Sequence, residues 1–187
     1  MSYIFTLWLP ILVSAAFVFI VSSIIHMVLG YHKNDYGQLP DEDKVREALQ
    51  PFKLPPGEYY VPFSNDQKDM AKPEYQEKVK AGPVGLMTIF KNEPPAMSKH
   101  LALWFLYSII VSVFAGYITM VAVGMGGNYL HVFRFVGTSA FMGYGLALMQ
   151  SSIWYGKCWK TTFKNMFDAL IYALVTAGTF GWLWPAM

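Results

Sequence analysis

Residues 162–184 read TFKNMFDALIYALVTAGTFGWLW, and this stretch decides the fold class of the chain. About 20 mostly apolar residues, at about 1.5 Å each, cross the hydrocarbon core of a bilayer. The stretch contains one acid, Asp168, which must face protein or water rather than lipid. Small residues recur at every fourth position, which lets helices approach closely in a membrane. These small residues are Ala169, Ala173, Ala177 and Gly181. They predict a membrane helix packed against other helices.

The composition indicates a membrane protein rather than a soluble domain. Of the 187 residues, 55% are hydrophobic and 14% are charged, whereas soluble domains carry about 25% charged residues. A net charge of only +2 argues against nucleic acid as the main partner. Cys158 is the only cysteine, so the chain forms no internal disulfide and no cysteine-based metal site.

Three further apolar blocks have the length of a bilayer, at residues 9–30, 100–123 and 129–154. Together with residues 162–184 they predict an all-α membrane protein with four transmembrane helices. A small α+β insertion is expected between the first and second helices. The expected domains are the first transmembrane helix (1–30), the insertion (31–99) and transmembrane helices two to four (100–187).

The insertion differs from the rest of the chain because it is polar, rich in proline and almost charge-balanced. Proline followed by acids at 40–43 is typical of a helix start, and 73–80 has the pattern of a second short helix. The runs 58–61 and 84–90 favour β-strands. We expect this segment to be folded and cytoplasmic.

Lysines near the helix ends predict the orientation in the membrane, since cytoplasmic loops carry the excess of positive charge. Lys33 and Lys99 follow the first block, and Lys157 and Lys160 follow the third. With four spans these loops lie on the same side. Both termini are therefore expected to be outside the cytoplasm.

Several short stretches resemble an uncharacterised family of bacterial multi-pass inner-membrane proteins. The resemblance covers most of the chain and implies a bacterial inner-membrane location, but it implies no activity and no functional residue. The stretches are IHM at 25–27, HKNDY at 32–36, LPDED at 39–43, GPVG at 82–85 and TAGTFGWLWP at 176–185.

A buried polar cluster is expected around Asp168. On a helical wheel Asp168 shares a side with Tyr172, and His26, Gln150 and Ser151 are expected at a similar depth on other helices. One interpretation is a structural hydrogen-bond network near the membrane surface. The other is a site that handles protons or ions, since ionisable groups within membranes are often functional.

His26 and His100 lie near the cytoplasmic ends of their helices, where two histidines are able to ligate a haem iron. The alternative is that both are solvated at the interface, and no cofactor is predicted. A metal site needs a third ligand, and only Asp168 is expected nearby, so no metal site is predicted. His32 and Ser64 have no partner that the sequence identifies.

Arg134 and His131 lie near the outer end of the third block. Arg134 is expected to contact an anionic lipid, to contact a carboxylate of a partner, or to snorkel to the interface. The opposite side of the helix carries a second small-residue row, Ser139, Gly143 and Ala147. A helix with two such faces predicts neighbours on both sides, one of which belongs to another chain.

These features favour a non-catalytic accessory or assembly subunit, or a self-associating scaffold, in a bacterial inner membrane. Membrane lipids and other membrane subunits, or further copies of the chain, are the expected partners. The first alternative is a small transporter or proton-coupled protein that uses Asp168. The second is a redox subunit with haem between His26 and His100.

Overall fold

A computed structural model describes residues 2–186, and it describes side chains from residue 5 onward. Met1 and Met187 lie outside this range, so the first and last expected domains each lack one terminal residue in the description. The chain divides into two compact units, one of 1–36 with 96–187 and one of 37–95. The helices are α1 (Trp8–Ile24), α2 (Glu42–Leu49), α3 (Pro73–Ala81), α4 (Met97–Val123), α5 (Tyr129–Phe141), α6 (Leu148–Tyr155) and α7 (Trp159–Trp182), and the strands are β1 (Gly57–Val61) and β2 (Gly85–Ile89).

Three helical stretches of the first unit are long and apolar enough to cross a membrane: Phe5–Leu29, Met97–Val123 and Tyr129–Tyr155. The first joins a 3-10 turn, α1 and a π-helical turn at Ile25–Leu29. The third joins α5 and α6 through a π-helical turn at Met142–Leu146. The mostly helical fold is therefore confirmed, and so is the prediction that these three blocks form helices long and apolar enough to cross a membrane.

The fourth predicted span is not confirmed by length and hydropathy. α7 is long enough, with 24 residues, but it is not among the helices with sufficient hydropathy. Polar residues such as Asn165 and Asp168, together with its glycines and threonines, make it less apolar than the other three.

α7 nevertheless lies within the helical bundle. It packs against α1 and α5, and α4 packs against the same two helices. One close contact is at Gly116 of α4, where an added Cβ would lie 2.9 Å from the ring of Phe180. The small-residue row of α7 faces this interior: three of its members are buried and the last is partly buried, namely Ala169, Ala173, Ala177 and Gly181.

Several polar side chains inside the bundle bond to each other or to the backbone. The Oγ atoms of Ser14 and Ser112 lie 3.0 Å apart and join α1 to α4. Near the C-terminus, the indole Nε1 of Trp184 donates to the carbonyl of Gly124 at 2.9 Å. These bonds satisfy groups that would be costly to leave unpaired in an apolar interior.

The second unit, 37–95, is small and has no fully buried residue. Its two strands pair antiparallel, with Gly57 opposite Ile89 and Val61 opposite Gly85. α2 and α3 complete the unit. The small sheet was predicted from the two β-type runs, and it is confirmed; the cytoplasmic location of this unit stays a prediction.

Candidate functional site

The chain turns back toward α7 directly after its first candidate span. The π-helical turn Ile25–Leu29 ends at Gly30, which has a left-handed backbone with φ of 65°. Glycine adopts this conformation without the steric cost that a side chain brings. The next residues form tight turns, in which the amide of Lys33 donates to Gly30 O and the amide of Asp35 donates to His32 O.

This turn places two side chains on Asp168 of α7. The Nε2 atom of His32 lies 2.8 Å from Oδ2 of Asp168. The hydroxyl of Tyr31 donates a hydrogen bond to Oδ1 of the same carboxylate. Asp168 is buried, so these contacts provide the partners that an acid needs in such a place.

Asp35 and Lys164 extend the network on the other side of His32. Nδ1 of His32 lies 2.6 Å from Oδ2 of Asp35. Lys164, one turn before Asp168 on α7, donates to Oδ1 of Asp35 and to the carbonyl of Tyr31, both at 2.6 Å. Both nitrogens of one imidazole therefore face carboxylates.

The network shifts the proton affinities of its outer members. The hydrogen bonds from Lys164 and His32 hold the pKa of Asp35 below its usual range, so this acid stays ionised. Burial, and then the hydrogen bond to Asp168, raise the pKa of Tyr31. Tyr31 therefore keeps its proton and remains a donor.

His26 brings a second imidazole to Asp168. It lies in the π-helical turn, and its ring centroid is 4.7 Å from that of His32. Three possible ligand atoms lie within 4.8 Å of one another, one each from His26, His32 and Asp168. His26 is exposed and makes no hydrogen bond within the described part of the chain. The trio has the donor types and proximity of a metal-binding group.

A cleft of about 740 Å³ opens beside these residues, and its lining includes His26, His100 and Asp168. Tyr144 and Tyr172 also line it. Both of these tyrosines are buried, and among residues 2–186 neither hydroxyl has a hydrogen-bond partner. Buried hydroxyls normally have a partner, so these two tyrosines are exceptions beside the cleft.

The structure brings together only part of the predicted polar cluster. His26, Asp168 and Tyr172 line one cleft, whereas Gln150 and Ser151 do not. Gln150 is exposed and Ser151 is half-buried.

The other predicted site residues lie elsewhere on the bundle. Arg134 and His131 are exposed. In the second small-residue row, Ser139 is half-buried whereas Gly143 and Ala147 are exposed. Gly143 still contacts α4, because its carbonyl accepts a hydrogen bond of 2.6 Å from the hydroxyl of Tyr107.

Sequence reasoning missed four members of the site, namely Tyr31, His32, Asp35 and Lys164. The sequence carries one signal for them, the spacing of His32 and Asp35, which brings the two side chains together across a tight turn. Contact with α7 depends on the return of the chain after Gly30, which the sequence pattern does not indicate.

No protein-family model, curated protein or solved structure matches this chain. The site is therefore interpreted from its own geometry.

Proposed function

We propose that α7 is a fourth membrane-spanning helix. Its 24 residues measure about 36 Å, more than the hydrocarbon core of about 30 Å. It packs against two candidate spans. Lys164 and Asp168, its charged residues nearest the middle, both have partners, which reduces the cost of placing them at membrane depth.

Four spans support an orientation with both termini in the periplasm of a bacterium. The lysine-bearing loops after the first and third spans then share the cytoplasmic side with residues 37–95, in agreement with the positive-inside rule. The resemblance to bacterial inner-membrane proteins favours the same location.

Within this membrane, we infer that the protein acts as a non-catalytic accessory or assembly subunit, or as a self-associating scaffold. The observation that carries this inference is Arg134. It lies five residues into the span that starts at Tyr129, or about 7.5 Å along the helix, and its side chain is exposed. No ion pair or hydrogen bond in residues 2–186 includes it.

An arginine at this depth is costly when it faces lipid. A carboxylate or another polar surface of a neighbouring chain satisfies its five donors. Thr138, one turn further along, is exposed on the same side and extends the polar strip. The chain itself buries only 28% of this span's most apolar window, so the helix has a large surface available for a partner.

Native mass spectrometry of particles extracted with their lipids tests this function. We expect particles that contain more than one polypeptide, either two copies of this chain or this chain with another membrane protein. Arg134→Ala should shift the distribution toward the single chain, because the proposed contact is lost. Arg46→Ala is the matched control, since Arg46 is also exposed but lies in residues 37–95.

A particle that contains one chain only, in native membranes as well as after overexpression, contradicts the proposed function. So does an assembly that Arg134→Ala leaves unchanged. In that case Arg134 is an interfacial side chain that snorkels to water.

The cleft favours a second candidate, a small transporter or proton-coupled protein that uses Asp168. A volume of about 740 Å³ is within the range of small-molecule sites. Solute uptake into proteoliposomes, compared between the wild type and Asp168→Asn, separates this candidate from an accessory subunit. The haem hypothesis predicts a Soret band that His26→Ala abolishes, because His26 and His100 line the same cleft.

A further inference from the structure

We propose that His26, His32 and Asp168 bind one divalent transition-metal ion at the mouth of the cleft. Their donor atoms lie within 4.8 Å of one another, although the residues come from two helical segments and a turn. This site is separate from the exposed side of α5 that carries Arg134, and it does not depend on the proposed function.

The spacing of two donors already suits one ion. Metal–ligand distances of about 2.0–2.2 Å place neighbouring ligand atoms about 3 Å apart. Nε2 of His32 and Oδ2 of Asp168 are separated by 2.8 Å. His26 lies further away, but its side chain is exposed and free of hydrogen bonds in the described residues. A rotation of that side chain completes the group.

The surroundings of these ligands have the arrangement found at metal sites. A metal-binding histidine usually presents its other ring nitrogen to a carboxylate, and a metal-binding carboxylate is itself hydrogen-bonded. Here Asp35 faces Nδ1 of His32 at 2.6 Å, and Tyr31 donates to the second oxygen of Asp168. Lys164 in turn holds Asp35. These outer contacts fix the orientation of both ligands.

The two carboxylates that face His32 give a chemical reason to expect a bound cation. A neutral imidazole has one N–H group, so it donates to only one of the two acids and turns a lone pair toward the other. With the N–H on Nδ1 facing Asp35, the lone pair on Nε2 and the carboxylate of Asp168 converge. A cation that takes the place of the proton on Nε2 is then coordinated by both groups.

Two imidazoles and one carboxylate select the class of ion. This donor set suits zinc and ferrous iron, whereas magnesium and calcium prefer oxygen ligands alone. Three protein ligands leave at least one coordination position open. His26 and Asp168 line the cleft, as do Tyr144 and Tyr172, so an exogenous ligand on the ion enters from this side.

Both π-helical turns found in residues 2–186 contribute to the same cleft. His26 belongs to Ile25–Leu29, and Tyr144 belongs to Met142–Leu146. Such turns are rare and frequently occur at functional sites. Two of them beside one cleft support a binding role for it.

Zinc titration of the full-length protein in lipid nanodiscs tests the proposal. The protein is purified without a polyhistidine tag, treated with a chelator, and then titrated with Zn²⁺, with Mg²⁺ as the comparison ion. After equilibrium dialysis, elemental analysis should give one zinc per chain and no bound magnesium.

Four variants assign the site. His26→Gln should weaken zinc binding more than about 100-fold and should fold normally, because His26 has no hydrogen bond to lose. Asp35→Asn should weaken it about 10- to 100-fold, as expected for an outer-shell partner. His32→Gln should abolish stoichiometric binding. His100→Gln is the matched control, since His100 is exposed and lines the same cleft but lies outside the trio, and it should bind zinc like the wild type.

Circular dichroism and elution volume confirm that each variant is folded. Absence of stoichiometric zinc in the folded wild type overturns the proposal and leaves His32 as a hydrogen-bonded link between two acids. Equal zinc affinity of the wild type and His26→Gln also overturns it. Loss of binding in His100→Gln contradicts the assignment of these three ligands.

Discussion

Nε2 of His32 lies 2.8 Å from Oδ2 of Asp168, although 136 positions of sequence separate the two residues. This contact joins the turn that follows the first candidate span to the middle of α7. It also brings Tyr31 and Asp35 into the same network, because both belong to that turn. The turn that follows the first span is therefore held to α7 by polar contacts.

Replacement of Asp168 tests how much this network stabilises the bundle. Asp168→Leu leaves Tyr31 and His32 without their acceptor, and the free energy of unfolding should fall by about 1–3 kcal/mol, the cost of unmet buried groups. Asp168→Asn keeps an acceptor for Tyr31 and should lose less. Unfolding is measured by thermal or denaturant titration after chelator treatment, so that no bound ion contributes.

The control for Asp168 is Asp43→Leu, because Asp43 is exposed and only weakly paired with Arg46 at 3.5 Å. It should change stability little, as exposed ion pairs contribute little. Equal stability of Asp168→Leu and the wild type would show that the network does not hold the bundle together.

Gly116 tests the packing of the Phe180 side chain of α7 against α4. A methyl group at this position would lie 2.9 Å from the ring of Phe180 and 3.1 Å from Leu7. Both neighbours are fully buried and have no room to move. Gly116→Ala should therefore destabilise the protein by about 1–3 kcal/mol, the usual cost of overpacking. Thermal unfolding in lipid measures the difference.

Gly178→Ala provides the comparison for Gly116→Ala. Gly178 also lies in a long helix of the bundle, but a methyl group there meets no atom within 4 Å. It should be neutral or slightly stabilising, since alanine favours the helical backbone over glycine. Equal loss of stability in both variants would contradict the packing described here.

The single cysteine tests the orientation. Cys158 is exposed in the loop before α7, which we propose to be cytoplasmic. A membrane-impermeant maleimide should label it only after the membrane is opened. In a Cys158→Ser background, Ala186→Cys should be labelled in intact spheroplasts, because the C-terminal end is proposed to be periplasmic. Labelling of Cys158 in intact spheroplasts would reverse the orientation.

The same thiol should react at lower pH than an ordinary cysteine. Backbone N–H groups of Thr161 and Lys160, at the start of α7, lower the pKa of Cys158. The thiolate is the reactive form, so a lower pKa leaves more thiolate at a given pH below neutrality. As the pH is lowered, the rate of maleimide labelling of Cys158 should therefore begin to fall at a lower pH than the rate for a short unstructured cysteine peptide. Coinciding pH profiles would contradict this environment.

The three most apolar blocks were predictable because a long apolar run has few stable alternatives in a chain of this kind. The small sheet was also predictable, since two short β-type runs in one polar segment have only each other to pair with. α7 was harder to assign. Asp168 and its neighbours lower its hydropathy, and their partners are distant in sequence.

The candidate site was only half visible in the sequence. His26 and Asp168 attracted attention because they lie within apolar runs, where polar groups are unusual. His32 lies in a polar turn, and the sequence identifies no partner for it there. Its role depends on the left-handed backbone at Gly30 and on the direction in which the chain then continues. No periodicity in the sequence encodes that direction.

The small-residue rows show the same limit. The row that begins at Ala169 faces the interior, because α7 has neighbours on that side. In the row on the third span, Ser139 is half-buried and Gly143 contacts α4 through Tyr107, whereas Ala147 is exposed. Spacing indicates that a face is suited to packing, but the positions of the other helices decide which face is used.

Zinc K-edge X-ray absorption spectroscopy of the zinc-loaded protein tests the central claim, that His26, His32 and Asp168 form one metal site. The proposed site predicts nitrogen and oxygen ligands at about 2.0–2.2 Å, with the scattering pattern of two imidazoles. A sulfur ligand at about 2.3 Å would place the ion on Cys158. That result, or the pattern of fewer than two imidazoles, would contradict the claim.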